Sequence, residues 1–329
     1  SVDDGCLRPE ASTVTWDVQD GTAFVNAPEL RCLAGDALAA EMAKAAPQIA
    51  LVGPTPQNKQ ASRLGLFLKR DELVNGFASY TKADDDGVML WHVGGCWYVG
   101  AAANLGQDRG WVSLRDGCVR PEASTVTWRV LDGTAFVNAP ELRCLAGDAL
   151  AAEIAKAAPQ IALVGPTPQN LQVNVLGVFL KRDELVNGRP SYTKTGDDSA
   201  MMWHAGAGWN VGPAADLGQA RGWVSVDDGC LRPEASTVTW RVYDGTPFVN
   251  APELRCLAGD ALAAEMAKAA PQIALVGPTP QNKQASSLGV FLKRDELING
   301  YPSYTKTGDD SAMMWHAGAG WNVGPAADL

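Results

Sequence analysis

The chain has 329 residues, 46% of them hydrophobic and 19% charged, with 34 Gly and 20 Pro. That composition supports two or three buried cores and holds too little Gly plus Pro for a disordered low-complexity chain. A net charge of −10, with no basic cluster larger than Lys69-Arg70, argues against binding to nucleic acid or to an anionic membrane. No apolar run approaches the roughly 18 residues of a membrane-spanning helix, so no membrane insertion is expected.

Self-similarity organises everything else. Asp4-Gly5-Cys6 returns as Asp116-Gly117-Cys118 and as Asp228-Gly229-Cys230, a constant step of 112 residues. Three repeats therefore run 1–112, 113–224 and 225–329, and residues 190–217 are identical to 302–329. The third repeat lacks a counterpart of Gly218-Gln219-Ala220-Arg221-Gly222-Trp223-Val224. A period of this length is a small domain rather than a solenoid unit. The ragged third copy leads us to expect a piece of a longer repeat chain.

In chain order, the stretch Thr13–Asn26 has the pattern of Thr237–Asn250, where Val238, Trp240 and Val242 alternate onto one face of a strand. The Ala-rich run Asp36–Ala46 predicts a helix with Asp36 as N-cap and Pro47 as stop, repeated at 148–158 and 260–270. Leu38, Met42 and Ala45 share its apolar face. Beyond the helix come a Pro-rich connection, Gly53-Pro54-Thr55-Pro56-Gln57, and a succession of short strands. After the second helix these are 161–165, 176–181, 191–194, 200–204, 209–212, 222–226, 237–242 and 248–250, rich in Val, Trp, Tyr, Phe and Thr. Asn187-Gly188 is a two-residue type I′ hairpin signal, and Gly196-Asp197-Asp198 and Gly206-Ala207-Gly208 mark further turns.

The expected fold is mainly β: tandem small antiparallel modules, sandwich or barrel-like, joined by short Ala-rich helices. If each helix leads into the next module, the modules span about 48–144, 160–256 and 272–329. The last would be completed by a segment like residues 1–32.

Six of the seven cysteines form three pairs, Cys6/Cys32, Cys118/Cys144 and Cys230/Cys256, each 26 residues apart. With no C-x-x-C pair and no His beside them, disulfides within each repeat are expected rather than a metal site. Disulfides imply export to the cell surface or medium. Cys96 is the odd one.

Candidate chemistry is sparse. His92, His204 and His316 are the only histidines, each directly after a Trp. One per module, with no hydrolase or metalloprotease motif, gives no catalytic constellation and no cofactor. Structural histidines, or contacts to a ligand, are the readings that remain. Trp97, Trp209 and Trp321 follow Gly-rich turns, with Asn210 and Asn322 next to the latter two; an aromatic face beside a polar amide is suited to a sugar ring. The alternative is that these indoles close a hairpin end of the core. Thr55, Thr167 and Thr279, between prolines, are candidate O-glycosylation sites in an exported chain.

The run Phe179-Leu180-Lys181-Arg182-Asp183-Glu184-Leu185-Val186-Asn187-Gly188-Arg189-Pro190-Ser191-Tyr192, followed by Trp203 and Gly208-Trp209-Asn210-Val211-Gly212, resembles tandem repeats of uncharacterised proteins from microalgae and other protists. The resemblance implies no established activity. The first repeat departs from it with Phe77-Ala78 in place of Arg189-Pro190.

Near-identical modules without catalytic residues favour a structural protein over an enzyme, since repetition adds length or avidity. The expectation is an exported structural repeat protein, part of a longer repeat chain or of a head-to-tail extracellular fibre or surface layer, whose partners are copies of itself or the next repeat. The alternative is a multivalent lectin with glycans as partners and one site per repeat.

Overall fold

The computed structural model describes residues 9–11, 15–20, 23–27, 32–245, 247–317 and 320–328. The chain is mainly β, built of curled antiparallel sheets with three α-helices among the described residues.

An N-terminal hairpin pairs β1 (Trp16–Asp20) with β2 (Ala23–Ala27) and leads to α1 (Gly35–Ala43). A first sheet follows, made of β3 (Gln48–Val52), β4 (Gly65–Lys69), β5 (Tyr80–Lys82), β6 (Asp85–Val93), β7 (Cys96–Ala101), β8 (Val112–Arg115), β9 (Trp128–Asp132), β10 (Ala135–Ala139) and β11 (Arg143–Ala146). Its order is β10-β9-β8-β7-β6-β5-β4-β3-β11. Eight strands thus meander and the ninth returns to pair with the first. α2 (Gly147–Ala155) follows β11 directly.

The second sheet repeats this plan with β12 (Gln160–Val164), β13 (Gly177–Lys181), β14 (Tyr192–Lys194), β15 (Ala200–Ala205), β16 (Gly208–Pro213), β17 (Val224–Val226), β18 (Trp240–Tyr243), β19 (Phe248–Ala251) and β20 (Arg255–Ala258). After α3 (Gly259–Ala267) comes a third sheet of five strands in sequential order: β21 (Gln272–Leu275), β22 (Gly289–Ile298), β23 (Tyr301–Lys306), β24 (Asp309–Ala317) and β25 (Gly320–Pro325).

Period-2 alternation decides which side chains enter the cores. Ile49, Leu51, Phe67, Trp97, Trp128 and Val130 point to the concave side of the first sheet and form one cluster. Ile161, Leu163, Phe179, Trp209, Trp240 and Val242 do the same in the second. The opposite, convex face of β3 and β4 is apolar as well. Ala50, Val52 and Leu66 pack there against Leu150 and Ile154 of α2 and Leu231 of the second sheet. Correspondingly, Ala162 and Val178 meet Leu262 and Met266 of α3 and Tyr301 of the third sheet. Helix and next sheet together cover the outer face of the sheet before.

Two details differ from the sequence reading. The ninth strand was not foreseen, because four residues wedged between a turn and a helix carry no alternation; long-range pairing of Arg143–Ala146 with β3 creates it. The helices begin one residue earlier than expected, and Asp36 is not the N-cap: Ala34 takes that position without a side-chain bond, leaving Asp36 in the first turn. A carboxylate there still complements the helix dipole. The hairpin at Asn187-Gly188 has φ of 52° and 74° at its two central residues, the left-handed pair that a type I′ turn requires.

Candidate functional site

The densest chemistry in the molecule lies where one sheet meets the next. At the first junction, Lys82 at the end of β5 and Asp84 in the turn after it enter a cleft formed by Arg189 and His204 of the second sheet. All four side chains are at most 1% exposed. Arg189 Nη1 donates to Asp84 Oδ2 at 2.7 Å and lies 2.8 Å from His204 Nδ1. His204 Nε2 lies 3.0 Å from the Asp228 carbonyl oxygen, and its Nδ1 also touches Asp84 Oδ2, so both ring nitrogens face an acceptor. Lys82 Nζ donates to the Gly206 carbonyl at 2.7 Å and sits 3.4 Å from Asp84 Oδ1. Main chains join too: Gly206 N–H donates to Asp84 O at 3.1 Å, and Gly229 N–H to Ala61 O at 2.9 Å.

This is a buried ion cluster, and its cost is desolvation. Burial alone would push the Asp84 carboxyl up, but the contacts with His204, Arg189 and Lys82 hold it far below the usual carboxylate range. Burial and the neighbouring Arg189 cation push His204 down to about 3, against the pull of Asp84, so the imidazole is neutral near pH 7. Burial also lowers Lys82.

The second junction uses the same scaffold with other chemistry. Position 84 corresponds to Gly196, and position 189 to Tyr301. Tyr301 stacks on His316 with ring centroids 4.0 Å apart and an interplanar angle of 17°. Its hydroxyl accepts from the Val178 N–H at 3.0 Å. Thr195 Oγ1 donates to the Asn299 carbonyl at 2.5 Å.

One glycine makes room in each case. A Cβ at Gly65 would lie 2.2 Å from Arg189 Nη2, and one at Gly177 would lie within bonding distance of the Tyr301 hydroxyl. Both glycines have φ above +100°. Each incoming residue is held by an Asn in the turn before it, whose amide donates to the carbonyl of its histidine: Asn187 to His204 and Asn299 to His316, both at 2.9 Å.

The histidines thus serve as the support against which the junction residue rests. His92, in the first repeat, backs Phe77 with centroids 3.8 Å apart. The candidate sugar-stacking tryptophans divide. Trp97 and Trp209 are fully buried and donate their indole N–H to the Cys118 and Cys230 carbonyls at 2.9 and 3.1 Å, whereas Trp321 is 50% exposed. Asn210 is buried, its amide donating to the carbonyls of Ala205 and Gly208; Asn322 is exposed. Beside Asn210 lies an open cavity of about 490 Å³, with Trp223, Arg241, Tyr243 and Phe248 in its wall.

Thr55 and Thr167 are buried and donate their hydroxyls to the Lys59 and Leu171 carbonyls at 2.6 Å. Thr279 has a buried hydroxyl without a hydrogen-bond partner. The threonine hydroxyls face inward.

The expected disulfides are not formed among the described cysteines. Cys32, Cys96, Cys118, Cys144, Cys230 and Cys256 carry unbonded sulfurs, and Cys6 lies outside the described residues. Cys118 and Cys144 pack against one core, and Cys230 and Cys256 against the other. Burial raises Cys118 to about 12 and the other three well above the usual thiol range. The Cys230 thiol donates to the Arg232 carbonyl at 3.1 Å. Each sulfur is thus accommodated as a protonated, apolar core atom.

Among the described residues no group of three or more His, Cys, Asp or Glu is placed to hold a metal ion, and no helix is long and apolar enough to cross a membrane. Lys82, Asp84, Arg189 and Tyr301 were missed in the sequence, although a signal existed: they sit at or beside positions 84/196 and 77/189/301, which are among those where the repeats disagree in charge and size. No protein-family model, curated protein or solved structure matches this chain.

Proposed function

We propose that this is a self-assembling repeat protein, in which residues 1–32 of one copy complete the five-stranded sheet of another, giving a head-to-tail array of the kind that forms an extracellular fibre or surface layer. One observation carries the reading: equivalent strands are buried in the first two sheets and bare at the two ends. Trp128 and Val130 are 2% and 0% exposed, whereas Val18, at the position of Val130, is 48% exposed on a lone two-stranded hairpin. Trp321 is half exposed where Trp97 and Trp209 are covered. In the third sheet β25 is an edge, while its counterparts β7 and β16 each have another strand beside them. An apolar hairpin and an apolar open edge of matching pattern invite strand addition, and a contact that joins unlike surfaces without closing propagates as a filament.

Deletion of residues 1–32 tests it. The full chain is expected to associate with rising concentration in sedimentation and to form elongated particles in electron microscopy. The truncated chain is expected to stay monomeric and to be restored by a peptide of residues 1–34. Unchanged assembly of the truncated chain defeats the proposal.

A second reading rests on the cavity beside Asn210. Trp223, Tyr243 and Phe248 give it aromatic faces and Arg241 a donor, the combination that suits a sugar ring. The stacking residues would then be these and not Trp209. Saturable binding on a glycan array, lost in Trp223→Ala, would favour it. Export no longer draws support from a disulfide framework and stands on the assembly reading alone.

A further inference from the structure

Each internal junction is a lock with a two-part key. The seat is contributed by the preceding sheet: a left-handed glycine at the start of its second strand (Gly65 or Gly177) and the residue two past its lysine (Asp84 or Gly196). The key comes from the following sheet, on the turn that ends at Arg189 or Tyr301, and rests on that sheet's histidine. A charged key meets a charged seat, and an aromatic key meets a glycine seat.

Among the described residues there is one further seat and one further key, neither met by another sheet. Gly289 occupies the position of Gly65 and Gly177 with a φ of +134°, and the Lys306 side chain alone comes within 4 Å of where its Cβ would be. The turn Lys306-Thr307-Gly308-Asp309-Asp310-Ser311 is identical to Lys194-Thr195-Gly196-Asp197-Asp198-Ser199, the turn beside which Tyr301 is seated. The outer face around this seat is bare: Ala274 and Val290 are exposed and Val276 is 80% exposed. Their counterparts in the first sheet, Ala50, Leu66 and Val52, are buried.

At the other end of the molecule, Phe77 rests on His92 as Tyr301 rests on His316, at a similar centroid distance (3.8 and 4.0 Å) but tilted by 32° where Tyr301 is stacked at 17°. The glycines around it, Gly76 and Gly117, face open space, with no atom within 4 Å of where a Cβ would stand. Their counterparts Gly188 and Gly229 are pressed against Leu66 and the Leu64 carbonyl.

We infer that Phe77 of one copy seats in the Gly289–Gly308 cleft of a second copy, so that the contact between chains is a repeat of the Tyr301 junction and not of the Asp84–Arg189 junction. The inference rests on the assembly reading above and specifies its chemistry. An apolar ring enters a glycine-lined cleft, and the neighbouring apolar face of Ala274, Val276 and Val290 is covered as its counterparts are. An arginine key has no carboxylate to meet in that seat, because position 308 is glycine. An aspartate there would in turn face a phenyl ring. The pairing thereby fixes polarity and order: the first sheet joins the second by charge, and the third sheet accepts only an aromatic newcomer.

The test uses the full chain, six substituted variants and the deletion of residues 1–32. Phe77→Arg and Gly308→Asp are each expected to weaken self-association at least tenfold in sedimentation, with far-UV circular dichroism unchanged. The double variant, or an equimolar mixture of the two singles, is expected to regain association, because it rebuilds the charged type of junction. An internal control reads the code without any assembly: Asp84→Gly/Arg189→Tyr is expected to melt close to the parent chain, above either single variant. If the singles associate like the parent while deletion of 1–32 abolishes association, sheet completion stands and the Phe77 contact is overturned. If the parent chain does not associate at all, both fall. If the internal double variant melts no better than its singles, the key-and-seat pairing itself is wrong.

Discussion

The two internal junctions bury the same surfaces by opposite chemistry. The first draws Lys82, Asp84 and Arg189 out of water around a neutral His204, with Asp84 as the anion that Lys82 and Arg189 both face. The second has a stacked tyrosine, the hydroxyls of Tyr301 and Thr195 and a glycine in the corresponding place, with Lys194 buried as Lys82 is. Turns and supporting histidines are shared; the difference lies at positions 84/196 and 189/301 and, beside them, at Ala83/Thr195. A buried ion cluster adds little net stability over a well-packed apolar contact, but it is severe toward a wrong partner, since an unmatched charge stays buried. The first junction is therefore the selective one and the second the permissive one.

The largest expected effect comes from breaking that selectivity. Asp84→Ala removes the anion and strands Arg189 and Lys82 in the cleft. A loss of about 3–5 kcal/mol is expected in denaturant unfolding, the usual cost of leaving one partner of a buried pair alone. A loss near zero would mean that water reaches the cleft, which would remove the contrast between the two junctions.

A second comparison sets a completed sheet against the incomplete one. Trp209→Ala is expected to cost about 3–5 kcal/mol, as truncation of a fully buried indole does. Trp321→Ala in dilute monomer is expected to cost about half of that or less, because half of the ring is already wet. In assembled material the two variants are expected to converge. Thermal melts at low and high protein concentration read the difference.

Acid is expected to act on the first junction before the second. His204 falls to about 3 in the folded chain from about 6.5 when unfolded. The unfolded chain therefore takes up the proton first, and stability is lost as pH falls from about 6.5 toward 3. Asp84, held low, adds to the loss as pH drops through about 4 and below. Asp228, raised by burial, works in the opposite sense near pH 4. His316 is also lowered by burial, though it touches no carboxylate and is less enclosed. Melting between pH 7 and 4 is expected to drop more for the parent chain than for the variant Asp84→Gly/Arg189→Tyr. Equal drops would show that the ion cluster is not the acid-sensitive element.

Much of this architecture was legible in the sequence. The alternation of Val238, Trp240 and Val242, the Asn-Gly turns and the Ala-rich run each translate directly into local structure. The ninth strand was not legible, because Arg255–Ala258 is a strand only by virtue of pairing with β12, some ninety residues earlier. The junctions were hidden for a related reason. Asp84 reads as one of three aspartates in a solvated turn, and Arg189 as a hairpin residue; only the approach of two sheets puts them at 2.7 Å. The cysteine spacing suggested covalent pairing, whereas the thiols are housed as apolar core atoms. Comparing the repeats with one another would have put positions 84 and 189 among the candidates, since they are two of the places where the repeats differ in charge and size.

The smallest effect is the sharpest probe of the permissive junction. Tyr301→Phe keeps the ring on His316 and removes only the hydroxyl that accepts from Val178 N–H. A loss of about 0.5–1.5 kcal/mol is expected, the ordinary net value of one hydrogen bond, and the acid sensitivity is expected to stay as in the parent. The substitution also makes the second junction carry the residue that the first repeat already has at position 77. If Tyr301→Phe is tolerated to this degree, ring stacking over the glycine seat suffices to hold two sheets together. A loss as large as that of Asp84→Ala would mean instead that the tyrosine hydroxyl is as indispensable as the buried aspartate, and Phe77, which lacks it, would be a poor key for any seat of this kind.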